Sequence, residues 1–165
     1  MDTLHIRRAQ PKEHDLVGTL TVAAYESIEG MPLGHYRATL RDVASRAADA
    51  EVLVAVDASG QVLGAVTYVP GPDSGAAEFS DGDAAGIRFL AVDPDAQGRG
   101  VGRALVEACL ERAHAAGRAR VVLHSTRWMA DAMRLYERLG FVREAGLDWE
   151  PEPGVALLGY VCELG

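Results

Sequence analysis

Lysine is almost missing from this chain: its 165 residues include one, Lys12. A phosphate loop of the G-x-x-x-x-G-K-[ST] kind needs a lysine straight after its second glycine, and none follows any glycine of the candidate loop below. Cysteine is nearly as scarce, with Cys109 in a helical pattern and Cys162 near the C-terminus. No C-x-x-C pair and no cluster of histidines is present, which excludes a zinc scaffold or a disulfide framework and leaves two thiols in a reducing cytosol. No metal site is assigned. Long apolar runs are absent although 48% of residues are hydrophobic, so there is no stretch approaching the roughly 20 residues of a membrane span. Residues 1–10 lack the apolar centre of a secretory signal. Positive charge is in deficit, 16 basic against 24 acidic residues for a net −8. A nucleic-acid binder needs a basic footprint, so that partner class drops out, while a cationic partner is favoured. Without repeats or low-complexity segments, the expectation is one cytoplasmic domain over residues 1–165, long enough for one sizeable core.

What is present falls into alternating short elements. Leu4 and Ile6 alternate in a strand over residues 4–8. Pro11 then opens a helix with Leu16, Val17, Leu20 and Ala24 along one side, ended by Gly30-Met31-Pro32. Tyr36, Leu40, Val43 and Ala47 predict one helix over 33–48. Strands over 51–56 and 62–69 form a hairpin about Ala58-Ser59-Gly60-Gln61. Residues 70–85, rich in Gly, Asp, Ser and Ala, form a long loop, either a lid or a mobile connection. A strand over 87–92 follows, then a helix carrying Leu105, Val106, Cys109, Leu110 and Ala113 as far as Gly117. A β-branched strand over 119–125 and a helix over 130–139, with Ala132, Met133, Tyr136 and Leu139 on one face, precede two strands over 141–148 and 155–164. This order implies a mixed α/β sheet with helices on both faces.

The chemistry concentrates between Leu90 and Arg103. An apolar strand there runs through a proline turn into Gln97-Gly98-Arg99-Gly100-Val101-Gly102-Arg103 and on into a helix. Glycines remove the Cβ atoms that would hold a phosphate off the main chain, and a helix N-terminus offers unpaired amides and the positive dipole end. Arg99 and Arg103 add charge at i and i+4, on one helix face if the helix has begun by Arg99. A dinucleotide fingerprint, G-x-G-x-x-G, fails in both registers, since its last glycine falls on Arg103 or on Leu105. The loop is an anion cradle of another kind.

Gln97-Gly98-Arg99-Gly100-Val101-Gly102 resembles the Q/R-x-x-G-x-G/A acetyl-CoA diphosphate loop of the GCN5-related N-acetyltransferase (GNAT) superfamily. Leu135-Tyr136-Glu137-Arg138-Leu139-Gly140-Phe141 resembles the same superfamily's helix-to-strand signature, in the right order downstream. The resemblance is strong over about residues 85–141 and weak at the flanks. It implies a centrally splayed sheet of about seven strands flanked by about four helices, with acetyl-CoA as co-substrate. The pantetheine arm would lie along Leu90, Ala91 and Val92, and the diphosphate on residues 97–103. A backbone amide of that strand would polarise the thioester, and Tyr136 would return a proton to the departing thiolate. The implied activity is direct transfer of an acetyl group to a primary amine of a small molecule or protein. A homodimer is common in the family.

This chain departs from the family pattern twice. A strand glutamate often serves as base, but the matching position is Gly86 or a neighbour. Glu78, Asp81 and Asp83 lie upstream in the loop, where solvated charge is the plainer reading, and no base is assigned. The family's frequent asparagine is replaced by Met129. Trp128 and Trp149 are read as edge aromatics, and His124 as a hydrogen-bonded strand residue. Tyr25, Glu26, Glu29 and Tyr36 flank the loop that in the family helps form the acceptor site. The alternatives are a non-catalytic acyl-CoA-binding sensor, which would bind the coenzyme without releasing thiol, and a nucleotide switch, which would bind ATP in its place.

Overall fold

Successive side chains leave a strand on opposite faces. In Glu51–Val56 (β2) this sends Leu53 and Ala55 into one core and Val52, Val54 and Val56 into another. The computed structural model describes residues 3–165. Met1 and Asp2, the start of the stretch read above as lacking a signal, lie outside the described residues. The sheet's other strands are His5–Arg8 (β1), Val62–Val69 (β3), Ala84–Val92 (β4), Arg120–Ser125 (β5), Val142–Arg143 (β6), Trp149–Glu152 (β7) and Val155–Glu163 (β8). They lie in the order β1-β2-β3-β4-β5-β8-β6, with β7 on β8. Every pairing is antiparallel except β4 with β5.

His14–Glu26 (α1), Tyr36–Arg41 (α2) and Val43–Asp49 (α3) feed the core on one face, and Val101–Ala115 (α4) with Ala130–Arg138 (α5) feed the other. The apolar stripe of α1 runs through Val17, Leu20, Thr21, Ala24 and Tyr25, all buried. Leu16, expected on that stripe, sits one residue off it and is 53% exposed. Among the described residues no helix is long and apolar enough to cross a membrane.

Three expectations need correction. The helix expected over 33–48 is two helices, α2 and α3, broken at Asp42. There the carboxylate accepts from the Ser45 amide at 3.2 Å and from its hydroxyl at 2.6 Å, an N-cap that starts a new helix. The buried Arg46 side chain then donates to Thr39 O and Leu40 O, each at 2.9 Å, satisfying the carbonyls left open at the end of α2. Second, the strand expected over 141–148 is only β6, followed by a 3-10 turn at Ala145–Leu147 and then β7. Asp148 holds this arch, paired with Arg143 at 2.8 Å and accepting from the Gly159 amide at 2.7 Å. A β-carbon at Gly159 would lie 2.4 Å from Leu147 Cβ, so the arch seats against β8 only because that position is glycine. Among the described residues eight strands and five α-helices make the mixed α/β fold expected with about seven and about four.

The third correction concerns β4, expected over 87–92 and found to begin at Ala84. Odd-numbered residues of a regular strand share a face, yet Ala85 and Ile87 join one core while Phe89 and Ala91 join the other. Between the pairs Ala65↔Ala91 and Thr67↔Arg88, β3 advances two residues and β4 three. That is a β-bulge, and it carries Phe89 at φ +56°, in the left-handed region. The strand thereby rotates at its midpoint.

At the N-terminus Glu13 accepts from both Arg7 guanidinium nitrogens, at 2.8 and 2.9 Å, and from the Gln10 amide at 2.8 Å. The Arg7 contacts are the main reason its carboxyl is lowered to about 2. A depressed carboxyl contributes stability above its unfolded value and loses it as pH falls through the folded one. Glu13→Gln should therefore cost about 1–2 kcal/mol near pH 7. The gap from the parent should close as the pH falls from 4.5 towards 2, as followed by urea melts across that range.

Candidate active site

Strands β4 and β5 pair from Ala84↔Arg120 only as far as Ile87↔Leu123. Beyond that point β4 runs on to Val92 and β5 to Ser125 without partnering each other. Backbone groups of β4 past the bulge face an opening instead of a strand. A cavity of about 860 Å³ fills it, lined by Leu90, Ala91 and Val92 together with Gln97, Gly98, Gly100, Val101, Gly102 and Arg103. A smaller cavity of about 190 Å³ adjoins it. Tyr25, Ile87, Arg88, Phe89, His124 and Met129 line both.

The three loop glycines do different work. Gly98 and Gly100 hold φ of +82° and +76°, and a β-carbon at either would meet nothing within 4 Å. Backbone conformation demands glycine there, and the space beside the amides stays open to a ligand. Gly102 is helical, and its β-carbon would lie 3.2 Å from Leu135 Cδ2, so it serves the approach of α5 to α4. Gly100 is the N-cap of α4 and no side chain caps that end. The amides of the first turn thus keep their capacity for an anion.

Arg99 stands apart from the other loop residues. The helix starts at Val101, so Arg99 precedes it and shares no i, i+4 face with Arg103. It is not among the residues lining the cavity, and its charge acts instead on Asp57. Arg103 does line the cavity, while its Nε pairs with Glu107 at 2.6 Å on the exposed surface. Arg138 also lines it and was missed in the sequence. Asp131, Leu135 and Arg138 fall at i, i+4 and i+7 on one face of α5, and that spacing would have pointed to it.

Tyr136 lines the larger cavity at 6% exposure, packed edge-on against Phe141 with 5.7 Å between centroids and tilted against Tyr160 at 6.4 Å. Burial pushes its phenol well up, with the nearby Cys109 adding to the shift. The hydroxyl therefore keeps its proton through the physiological range and can donate it. Burial likewise pushes the Cys109 thiol up to about 12, which leaves that group inert.

The remaining candidates divide. His124 bonds Leu147 O through Nε2 at 2.9 Å, which ties β5 to the arch after β6 although the ring also reaches both cavities. Trp128, read as an edge aromatic, instead walls the larger cavity, where it stands against Gly30 and under the Arg127 guanidinium at 4.5 Å. Trp149 is 46% exposed on β7 and lines neither cavity. Glu29 lines the larger cavity, whereas Glu26 pairs with Arg37 at 3.6 Å. Tyr36 lines the smaller one, its ring stacked near Phe89 at 6.4 Å. Met129 occupies the expected asparagine position, with its sulfur accepting from Ser125 Oγ at 3.4 Å.

The loop between β3 and β4 is fastened along its length. Ser74 Oγ donates to Asp49 O at 2.7 Å, Arg118 donates to Gly82 O at 2.9 Å, and Asp81 pairs with Arg120 at 2.7 Å. Of its three acidic candidates, Glu78 alone lines a cavity, the smaller one. A β-carbon at Gly86 would lie 2.5 Å from Phe79 Cε1, so the Phe79 ring fills the place of a side chain on β4.

This architecture has known counterparts. An acetyltransferase of the GNAT family from Staphylococcus aureus Mu50 superimposes with a TM-score of 0.77 at 11% identity, over 99% of this chain and 100% of that one. A GNAT family acetyltransferase from Brucella melitensis, solved in complex with acetyl-CoA, gives 0.67 at 24% identity, over 99% of this chain and 89% of that one. The mycothiol acetyltransferase of Cellulomonas flavigena is 39% identical over 87 residues, 52% of this chain. The matching segment spans 25% of that protein, so the likeness covers a fraction of a longer enzyme. Acetyl-CoA is the co-substrate of the family to which these enzymes belong. The family model described as the acetyltransferase (GNAT) family matches residues 15–141, well over half the chain, and the protein belongs to that family.

Proposed function

We propose that this protein, read as one N-acetyltransferase domain, moves the acetyl group of acetyl-CoA directly to a primary amine on a small molecule or a single protein side chain. The observation that carries the reading is the parting of β4 and β5 between two adjoining cavities. One side holds the glycine loop and Tyr136, and the other is a compact chamber with an aromatic wall. At about 190 Å³ that chamber has the liquid volume of about six waters, enough for a small amine or one side-chain tip.

Each part of the site has a task. The amides of Gly98 to Gly102 and the free end of α4 suit a diphosphate. Those backbone groups of the run from Leu90 to Val92 that face away from β3, where β5 no longer pairs, suit the amides of a pantetheine arm, and an N–H there can hold the oxyanion as it develops on the thioester carbonyl. Tyr136 supplies the proton that the leaving sulfur takes up. Bound acetyl-CoA brings the activated acyl group. The same reading keeps the protein in the cytoplasm, where Cys109 and Cys162, both buried and free, stay reduced.

Acetyl-CoA at about 100 times its dissociation constant should stabilise the protein by about 2.7 kcal/mol. Thiol release from acetyl-CoA should then depend on added amine across a panel of alkyl, aromatic and polyamine acceptors. A protein that melts at the same temperature with and without acetyl-CoA would end this reading. Binding without amine-dependent release would leave the sensor in its place.

A further inference from the structure

The acetyl-transfer reading leaves one proton without a destination. An amine with a lysine-like pKa near ~10.4 arrives as an ammonium, and it must lose a proton before its nitrogen can attack. The family's strand carboxylate is missing because position 86 is glycine, and the Phe79 ring occupies that space. The neighbouring residue on the same loop, Glu78, lines the acceptor-side cavity. We propose, on the basis of the acetyl-transfer reading, that Glu78 is the carboxylate that receives the acceptor's ammonium and takes its proton. Its loop stands in for the strand as the carrier of the base.

One ion pair holds Glu78, and two further contacts fix its partner Arg88. Arg88 Nε lies 2.8 Å from Glu78 Oε1, and both side chains are only 21% exposed. Arg88 Nη1 donates to Ala76 O at 3.1 Å, which binds the same loop to β4. The Arg88 guanidinium in turn lies 4.4 Å from the Phe89 ring centroid, just at the bulge. A carboxylate has lone pairs for about four hydrogen bonds, so engagement with Arg88 leaves capacity for an ammonium.

The other ionisable groups around the chamber are poorly suited to the task. On α1 and α2, burial raises the Tyr25 and Tyr36 phenols, which stay neutral. Arg46 of α3 lies 4.3 Å from the Phe89 centroid, a cation that repels an ammonium. His124 of β5 is engaged with Leu147 O. Glu152 of β7, 52% exposed, pairs at 2.8 Å with His35, itself 84% exposed, and so belongs to the rim. Glu78 is the sheltered carboxylate among them.

The balance is complete without another reactant. The ammonium gives one proton to Glu78, and the freed lone pair forms the N–C bond to the thioester carbonyl. The C–S bond breaks, the nitrogen sheds its second proton, and the sulfur takes one up from Tyr136. Of the two protons lost by nitrogen, one restores Tyr136 by exchange with solvent and the other passes from Glu78 to solvent.

The test uses the full chain with benzylamine, whose ring suits the aromatic wall, and follows coenzyme A release from pH 7 to 9. In the parent, kcat/KM should change by less than tenfold across that interval. Glu78→Gln should lower it about 10²-fold at pH 7 and make it climb about tenfold per pH unit as free amine becomes available. Glu78→Asp should restore the flatter profile at a reduced rate. A Gln variant with the parent's profile, whether at full rate or uniformly slowed, would overturn the proposal, since a merely structural residue does not change the slope. Failure of the parent to turn over benzylamine would overturn it as well. Stabilisation by acetyl-CoA, measured in all three proteins, separates these outcomes from failure of the acetyl-transfer reading itself, which would remove the shift from every one.

Discussion

Tyr136→Phe should lower kcat by about 10²-fold or more while leaving the KM for acetyl-CoA within a factor of about three. The ring contributes packing against Phe141 and Tyr160 in the core under α5, and phenylalanine keeps that ring. The volume is conserved, so stability should change by less than about 1.5 kcal/mol. What disappears is the proton at the cavity wall. Because burial raises the phenol, the group stays protonated up to alkaline pH, and Tyr136 should put no descending limb on kcat below about pH 9. Tyr160→Phe is the matched control. Tyr160 shares the same aromatic cluster and is 2% exposed, yet it lines neither cavity, so its variant should turn over as the parent does. Equal kcat values for Tyr136→Phe and the parent would remove the acid role.

Legibility in the sequence followed how local each determinant is. β2 and β3 could be bounded to the residue, because β-branched runs flanked by turn residues need no tertiary help to be recognised. The glycine loop and the Tyr136 segment were readable for the same reason, since adjacent residues carry the whole pattern. Breaks set by distant partners were not. Periodicity across Asp42 is continuous in sequence, and only the Ser45 cap together with the inward turn of Arg46 ends α2 there. The bulge at Phe89 has no glycine to announce it, so nothing local in the sequence signals that Phe89 and Ala91 turn to the other face from Ala85 and Ile87. That turn falls at the site itself, because the bulge is where β4 leaves β5. Whether the helix begins by Arg99 was open in the sequence, and it begins two residues later, so Arg99 and Arg103 share no helical face. Glu78 was legible only as one of three loop carboxylates, with solvated charge the plainer reading. Nothing near it in sequence indicates that Phe79 fills the space above Gly86 and brings its neighbour to the acceptor chamber.

Gly100→Glu should abolish stabilisation by acetyl-CoA. The substitution places a side chain and a negative charge in the open space beside the amides at the start of α4, where a diphosphate needs positive potential. An affinity loss of 100-fold, at a ligand concentration that gives about 2.7 kcal/mol with the parent, leaves about 0.4 kcal/mol. In a chain of this size that reduces the melting shift from about 6–10 °C to about 1 °C. The substitution also carries backbone strain, about 1–2 kcal/mol for a non-glycine residue in the left-handed region. Gly60→Glu controls for that strain. Gly60 has φ +87°, a β-carbon there would likewise meet nothing within 4 Å, and it lies in the β2–β3 hairpin outside both cavities. The two variants should lose similar intrinsic stability, but only Gly60→Glu should keep the acetyl-CoA shift. Loss of the shift in both would point to a general softening of the fold, and its survival in Gly100→Glu would place the diphosphate elsewhere. Arg99→Glu, whose side chain stands outside the cavity lining, should retain most of the shift if main-chain amides rather than that guanidinium hold the anion.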